Sequence, residues 1–260
     1  SGTFPVSLGA ERAVLVGNLI AFAFALRAAV RLVFQGRAQL TPTVEELTFR
    51  AGRGFSFTPG QFLELDVPHR RPDARGTRRE FSIASAPEDL PTVRIAFRRG
   101  SQSTYKKALA AVQPGTALAV TGVWGDFVLP RQSSAPLLMV AAGIGVTPFI
   151  SHLRHLVLTG QQRDVVVVYV VREAAELAFR ADLEEAGVRV IVFARDEPTD
   201  LPANWLWARD ARLDAETLRR AVPDIAVRHA YASGPAGLLA DLAPTLQQAR
   251  SLTTDAFSGY

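Results

Sequence analysis

The sequence predicts an antiparallel six-stranded β-barrel followed by a doubly wound parallel α/β domain, with an apolar helix ahead of both. Three observations carry this reading. Between about residues 31 and 129 apolar side chains recur with period two, interrupted by Pro- and Gly-bearing turns, which is the pattern of short half-buried strands. From about Pro136 the strands become continuous apolar runs separated by helical patterns, as a parallel sheet covered on both faces requires. Before either, residues 13–26 read AVLVGNLIAFAFAL, with Asn18 the one strongly polar side chain.

Composition bounds the chemistry. With 260 residues, 48% of them hydrophobic and 21% charged, the chain is globular and long enough for two modest domains. The net charge is +4, and its basic side chains are almost all arginine, since Lys106 and Lys107 are the only lysines. The arginines are scattered rather than striped, which argues against nucleic acid. The absence of cysteine excludes disulfides, a thiol nucleophile and an iron–sulfur cluster held by this chain. The single methionine, Met139, is internal, so a fragment or a processed chain is expected.

Residues 1–36 are read as an apolar helix and linker. The apolar run is shorter than the ~20 residues of a spanning helix, and reaches that length only if extended to Phe34 past Arg27 and Arg31. Arginines just beyond an apolar helix suit a cytoplasmic membrane face. The expectation is the end of a membrane span; the alternative is a buried soluble helix.

Residues 37–131 are read as the barrel. QFLELDV puts Leu63, Leu65 and Val67 on one face, and TVRIAF does the same for Val93, Ile95 and Phe97. One helix interrupts the strands over 103–112, with Ser103 as N-cap. GVWGDFVL, with Gly122, Gly125 and Phe127, is read as a closing strand serving packing.

Residues 132–260 are read as the α/β domain, with helices over 148–158, 174–185, 214–221 and 236–248. Its first strand, LLMVAA, runs into GIGVTP. Gly143 and Gly145 let backbone approach a phosphate, while Thr147 and Pro148 open a helix whose free N–H groups favour anions. A third glycine of the usual dinucleotide fingerprint is replaced by Pro148. A second strand-to-helix turn, SGP, brings Ser233, Gly234 and Pro235 to the same crevice. The second and third strands end in Arg172, followed by Glu173, and Arg195. Two guanidinium groups suit a ribose 2′-phosphate and favour NADPH, although each alone reads as a solvated strand end.

A barrel carrying REFS, then an α/β domain carrying GIGVTP and SGP in that order, resembles the ferredoxin–NADP+ reductase superfamily over residues 37–260. The resemblance implies an FAD-binding barrel and an NAD(P)-binding α/β domain. It implies that Arg79 meets the FAD pyrophosphate, Phe81 packs beside the isoalloxazine and Ser82 hydrogen-bonds near N5. Glu80, Ile83 and Ala84 complete the stretch, and Gly100, Ser103 and Thr104 form a second pyrophosphate grip. It further implies that Ser233, where the family often has cysteine, lies near the nicotinamide, and that Phe257 or Tyr260 covers the flavin. Because Arg79 and Phe81 alternate away from Ser82, the strand must bend there to bring all three to one ligand. PHRRPDARGTRREFSIASAP behind an apolar helix also resembles reductase domains fused to multi-span flavin-binding membrane modules.

The implied function is an FAD-dependent NAD(P)H oxidoreductase passing hydride from nicotinamide to FAD, with Ser82, Ser233 and Phe257 closest to the chemistry. Electrons then go to an acceptor outside this chain: a membrane redox module, a quinone or a carrier protein. The expected location is membrane-associated with the catalytic domains facing the cytoplasm, and no metal site is expected. The alternatives are a soluble ferredoxin or flavodoxin reductase, and a nucleotide-bound regulatory domain that turns nothing over.

Overall fold

The computed structural model describes residues 30–257 apart from 101, 102, 133, 210 and 211. The apolar run at 13–26 and Tyr260 lie outside the described residues. Val30–Gly36, read above as the end of a linker, instead form most of β1 (Val30–Gln39), which is paired with two neighbours. Leu32 and Phe34 are fully buried by that pairing, so a helix extending to Phe34 is excluded.

The first sheet holds β1, β2 (Val44–Ala51), β3 (Phe62–Asp66), β4 (Arg78–Ser82), β5 (Thr92–Arg98) and β6 (Ala117–Trp124). They run antiparallel in the order β4-β3-β6-β1-β2-β5. The two ends of that order meet just past Ser82: Ile83 bridges Ile95, and the Ala84 N–H donates to the Arg94 carbonyl at 2.8 Å. The chain therefore switches partner strand at residues 82–84 and closes the barrel there, while β4 itself keeps a regular register from Arg78 to Ser82. Leu63, Leu65, Val67, Val93, Ile95 and Phe97 all point into the barrel core, as period two demands. Helix α1 (Thr104–Ala110) plugs one end: Leu109 is buried, and the Tyr105 hydroxyl donates to the Leu65 carbonyl at 2.9 Å. Ser103 is its N-cap, accepting from the Lys106 N–H.

The second sheet holds β7 (Leu137–Ala142), β8 (Val165–Val170), β9 (Arg189–Phe193), β10 (Trp205–Trp207), β11 (His229–Pro235) and β12 (Ser251–Phe257). All are parallel, in the order β10-β9-β8-β7-β11-β12. The chain winds outward from β7 to β10 and returns beside β7 as β11, so the topological switch lies between β7 and β11. Helices α2 (Thr147–Leu158), α3 (Arg180–Glu185), α4 (Ala215–Ala221) and α5 (Ala236–Leu246) cover the sheet. Alternate residues of its strands feed separate apolar cores on the two faces, Met139 and Val167 into one, Val140 and Val168 into the other.

Two elements differ from expectation. The helix foreseen over 174–185 is broken: a 3-10 turn at Ala174–Glu176 is followed by Phe179 at φ 58°, and α3 starts only at Arg180. Leu177, Ala178 and Phe179 are driven into the core, and a continuous helix would carry this triplet around its axis rather than inward. No strand is foreseen after the helix over 236–248, yet β12 completes the sheet beside β11, with Pro235 paired to Phe257.

Candidate functional site

On the barrel, β4 sets Arg79 and Phe81 on one face. Both meet Tyr105 of α1: the Arg79 guanidinium carbon lies 4.9 Å above the phenol ring, and Phe81 stacks on it at 6.1 Å and 28°. Ser82 is half-buried and pairs with Phe62 of β3, while Glu80 is exposed and pairs with Glu64. Ile83 and Ala84 are wholly buried, and their N–H groups donate to the Gln61 and Arg94 carbonyls, so the structure turns both residues to the barrel rather than to a ligand. Gly100 sits at φ +82°, where a side chain would strain the backbone. Thr104 Oγ1 lies 3.3 Å from His69 Nε2. Burial pushes the Tyr105 hydroxyl far above its ordinary range, so it is a fixed neutral donor.

Arg79 is engaged. Its Nη2 donates to both oxygens of Asp73 at 2.6 and 2.7 Å, and its Nη1 to the carbonyls of Arg75, Gly76 and Arg78. The hydrogen bond from Arg79 holds the Asp73 carboxyl below its usual range.

At the switch point, β7 leads through a 3-10 turn (Gly143–Val146) into α2. The glycines here do different work. Gly143 has φ +54° and open space where a Cβ would lie, so it serves the turn and an approach from outside. A Cβ on Gly145 would fall 2.3 Å from the Ser233 carbonyl oxygen, and one on Gly234 would fall 2.8 Å from Ala142 Cβ. These two glycines lock the β7 turn against the end of β11. Thr147 and Pro148 are buried, and the Thr147 hydroxyl donates to the Ile144 carbonyl at 2.7 Å rather than outward. The Tyr169 hydroxyl steadies the turn by donating to the Gly143 carbonyl at 3.1 Å.

Ser233 is also fully buried, and its hydroxyl donates to Asp255 of β12 at 3.5 Å. Burial raises the Asp255 carboxyl, Asp126 raises it further, and the Ser233 hydrogen bond opposes them. The carboxylate was missed in the sequence, where DAFSGY draws the eye to its aromatics.

Arg172 and Arg195 end adjacent strands and are joined by an Arg195 N–H to Arg172 carbonyl bond of 3.2 Å. Both side chains are exposed on the rim at the carboxyl ends of β8 and β9. A third arginine, Arg209, follows β10 on the same rim and lies 5.3 Å from the Trp207 ring.

The two sheets are welded together. Phe127, just past β6, packs on Phe149 and Tyr231, and the Tyr231 hydroxyl donates to the Val128 carbonyl at 2.7 Å. Ser151 of α2 donates to the carbonyl of Ser85, three residues after Ser82, at 2.7 Å with both groups buried. Charges cross the same boundary: Arg94 of the barrel pairs with Asp182 at 2.7 Å, and Arg154 of α2 pairs with Asp89 at 2.6 Å and with Asp182 at 3.2 Å. Glu46, 3.2 Å from Arg94, has its carboxyl raised by burial against the pull of that arginine.

Among the described residues no group of three or more His, Asp or Glu could hold a metal ion, and no helix is long and apolar enough to cross a membrane.

Residues 139–243 match the family model described as the oxidoreductase NAD-binding domain. The chain is similar to an NADPH oxidoreductase of Mycobacterium tuberculosis, 32% identical over 201 residues, which are 74% of this chain and 50% of that one. It is similar to ferredoxin–NADP reductase B of Sorangium cellulosum, 33% identical over 147 residues, 56% of this chain and 59% of that one. The chain thus spans about half the length of the curated relatives it matches. Its fold is that of a Neisseria gonorrhoeae ferredoxin NADP+ reductase solved with bound FAD and NADP. The TM-score is 0.71 at 18% identity, covering 90% of this chain and all of that one.

Proposed function

From an NAD-binding oxidoreductase fold of the ferredoxin–NADP+ reductase kind, we propose that this chain is an FAD-dependent NAD(P)H oxidoreductase that passes electrons to a partner. The barrel, residues 30–131, binds FAD, and residues 132–260 bind the nicotinamide nucleotide. The observation that carries this is the Ser151–Ser85 bond, which ties the bend after Ser82 to the helix that follows the Gly143 turn. A ring held at Ser82 and a nucleotide held at Gly143 then share one rigid frame, as transfer between two bound rings requires.

FAD, when bound, supplies the hydride-accepting ring, and the residues of this chain do the rest. Arg79, Ser103 and Thr104 hold the diphosphate. Phe81, on its Tyr105 support, walls the ring, and the Ser82 hydroxyl donates near the redox nitrogen. Gly143 and the neighbouring N–H groups admit the nucleotide, Gly145 and Gly234 hold that turn against β11, and buried Ser233 is a positioning group beside it. Phe257 or Tyr260 would, by the resemblance, cover the flavin until nicotinamide arrives. Arg172 and Arg195 receive a 2′-phosphate, so NADPH is the preferred donor over NADH. The acceptor is a separate redox protein or module, consistent with relatives named as ferredoxin reductases and as reductase components of monooxygenases.

The test is anaerobic mixing of the FAD-loaded protein with NADPH and then NADH while following the flavin absorbance. NADPH should bleach it. The double variant Arg172→Ala with Arg195→Ala should raise the NADPH Michaelis constant roughly tenfold or more, the worth of a charge-assisted bond, and leave NADH little changed. No bleaching with either nucleotide rejects the enzyme, and an equal effect on both rejects the 2′-phosphate clamp.

The membrane-fusion reading and a cytoplasm-facing location rest on residues 13–26 and the arginines behind them. Deleting residues 1–29 should abolish any detergent requirement of the purified protein; an unchanged requirement removes that reading.

A further inference from the structure

The connection between β3 and β4 reads PHRRPDARGT, and Asp73 is its one acid amid His69, Arg70, Arg71 and Arg75. The chain turns back on itself there. The Gly76 N–H donates to the Asp73 carbonyl at 2.9 Å, the Arg75 N–H donates to Asp73 Oδ1 at 2.9 Å, and Gly76 takes φ +71°. The turn delivers both Asp73 carboxylate oxygens onto Arg79 Nη2, while Nη1 is taken up by the Arg75 and Gly76 carbonyls of the same connection and the Arg78 carbonyl at the start of β4. The Arg79 side chain is only 10% exposed beneath this cover, whereas that of Asp73 is 38% exposed.

A guanidinium fork binds carboxylate and phosphate through the same N–H groups in the same in-plane geometry. Both anions cannot use Nη2 together, and placing them side by side adds like-charge repulsion. We propose that Asp73 is an internal competitor for the Arg79 fork and so sets how tightly a diphosphate-bearing flavin is held. Binding of the diphosphate opens the Asp73–Arg79 pair and swings the turn at 73–76 outward. Residues 70–75 are all exposed, so the swing uncovers little apolar surface. It also carries the connection's one carboxylate away from the incoming anion, with Arg70 and Arg71 ahead of the moving turn. The inference rests on the reading of Arg79 as the diphosphate-binding arginine.

The full-length chain, stripped of flavin, is titrated with FAD and with riboflavin, which lacks phosphate, by flavin fluorescence. Asp73→Asn keeps an Oδ1 acceptor for the Arg75 N–H and removes the charge. It should tighten FAD roughly five- to tenfold, the scale of one part-exposed charged pair, and leave riboflavin unchanged. Asp73→Ala, checked for an unaltered melting temperature, should move FAD in the same direction. Unchanged or weakened FAD binding in both variants overturns the proposal, because Asp73 would then only orient Arg79. An equal gain for riboflavin also overturns it. Arg79→Ala separates the two readings. Weakened FAD binding there with no gain in Asp73→Asn defeats the competition alone, whereas unchanged FAD binding in Arg79→Ala defeats the flavin role of Arg79 and the competition with it.

Discussion

Gly60→Ala is expected to yield no soluble folded protein. Gly60 ends the TPG turn ahead of β3 at φ +88°. A Cβ there would lie 1.9 Å from the Phe127 carbonyl oxygen and 2.4 Å from His152 Nε2. Those two atoms are partners: the His152 Nε2–H donates to the Phe127 carbonyl at 2.8 Å, in the buried seam between the sheets. The added carbon would sit inside that bond. Neither partner can retreat, since Phe127 is packed on Phe149 and Tyr231 and the colliding atom is backbone. The left-handed backbone alone costs about 1–2 kcal/mol. The clash and the orphaned buried polar groups carry the total beyond ~4 kcal/mol, a large fraction of a domain's stability. Gly54→Ala is the control, because Gly54 has a similar φ of +83° with nothing within 4 Å of its Cβ position. It should remain soluble and melt a few degrees lower, about 2–8 °C for 1–2 kcal/mol. Similar yields and melting temperatures for the two variants would show that the seam yields at Gly60.

His152 should make the protein acid-sensitive in a defined window. Burial is the main cause of its low pKa, opposed by the bond to the Phe127 carbonyl and reinforced by His155 and Arg163, and it brings the imidazole from 6.5 to about 4. Above pH 6.5 the group is neutral in both folded and unfolded chains and contributes no pH dependence. Below that, the unfolded chain takes up a proton that the fold refuses, so stability falls as pH drops from 6.5 towards about 4 and levels off beneath. The loss integrates to about 3 kcal/mol. His152→Gln keeps a donor for Phe127 and cannot titrate. Denaturant midpoints of the two proteins should converge with acidification across this window, and parallel curves would assign the acid sensitivity elsewhere.

Much of the architecture was legible because it is written in periodicity. Leu63, Leu65 and Val67 alternate into the barrel, and the all-valine strand 165–168 announces a sheet covered on both faces. The helix start at Ser103 carries local capping chemistry and falls where that chemistry places it, and Pro148 stands in the first turn of the helix it opens. What escaped was long-range. SLTTDAF has too little apolar content to declare itself a strand, and it becomes β12 because β11 offers it an open edge. The break before α3 follows from a core that needs Phe179, not from any breaker residue. Gly145 and Gly234 look like phosphate glycines in sequence, and only their distances to Ser233 and Ala142 reveal that packing demands them. Arg79 was picked out by its motif, but its carboxylate partner six residues earlier, in a polar turn, carried no signal of its own.

The crossed ion pairs at the seam bear on how such chains diversify. The barrel extends a cation, Arg94, to Asp182 and presents an anion, Asp89, to Arg154, so each half both gives and receives. A recombination event that exchanged one half for that of a distant relative lacking these charges would strand both a cation and an anion on the retained half, in a contact largely shielded from water. Charge removal at any one of these four positions should therefore cost more stability than a matched replacement of both partners.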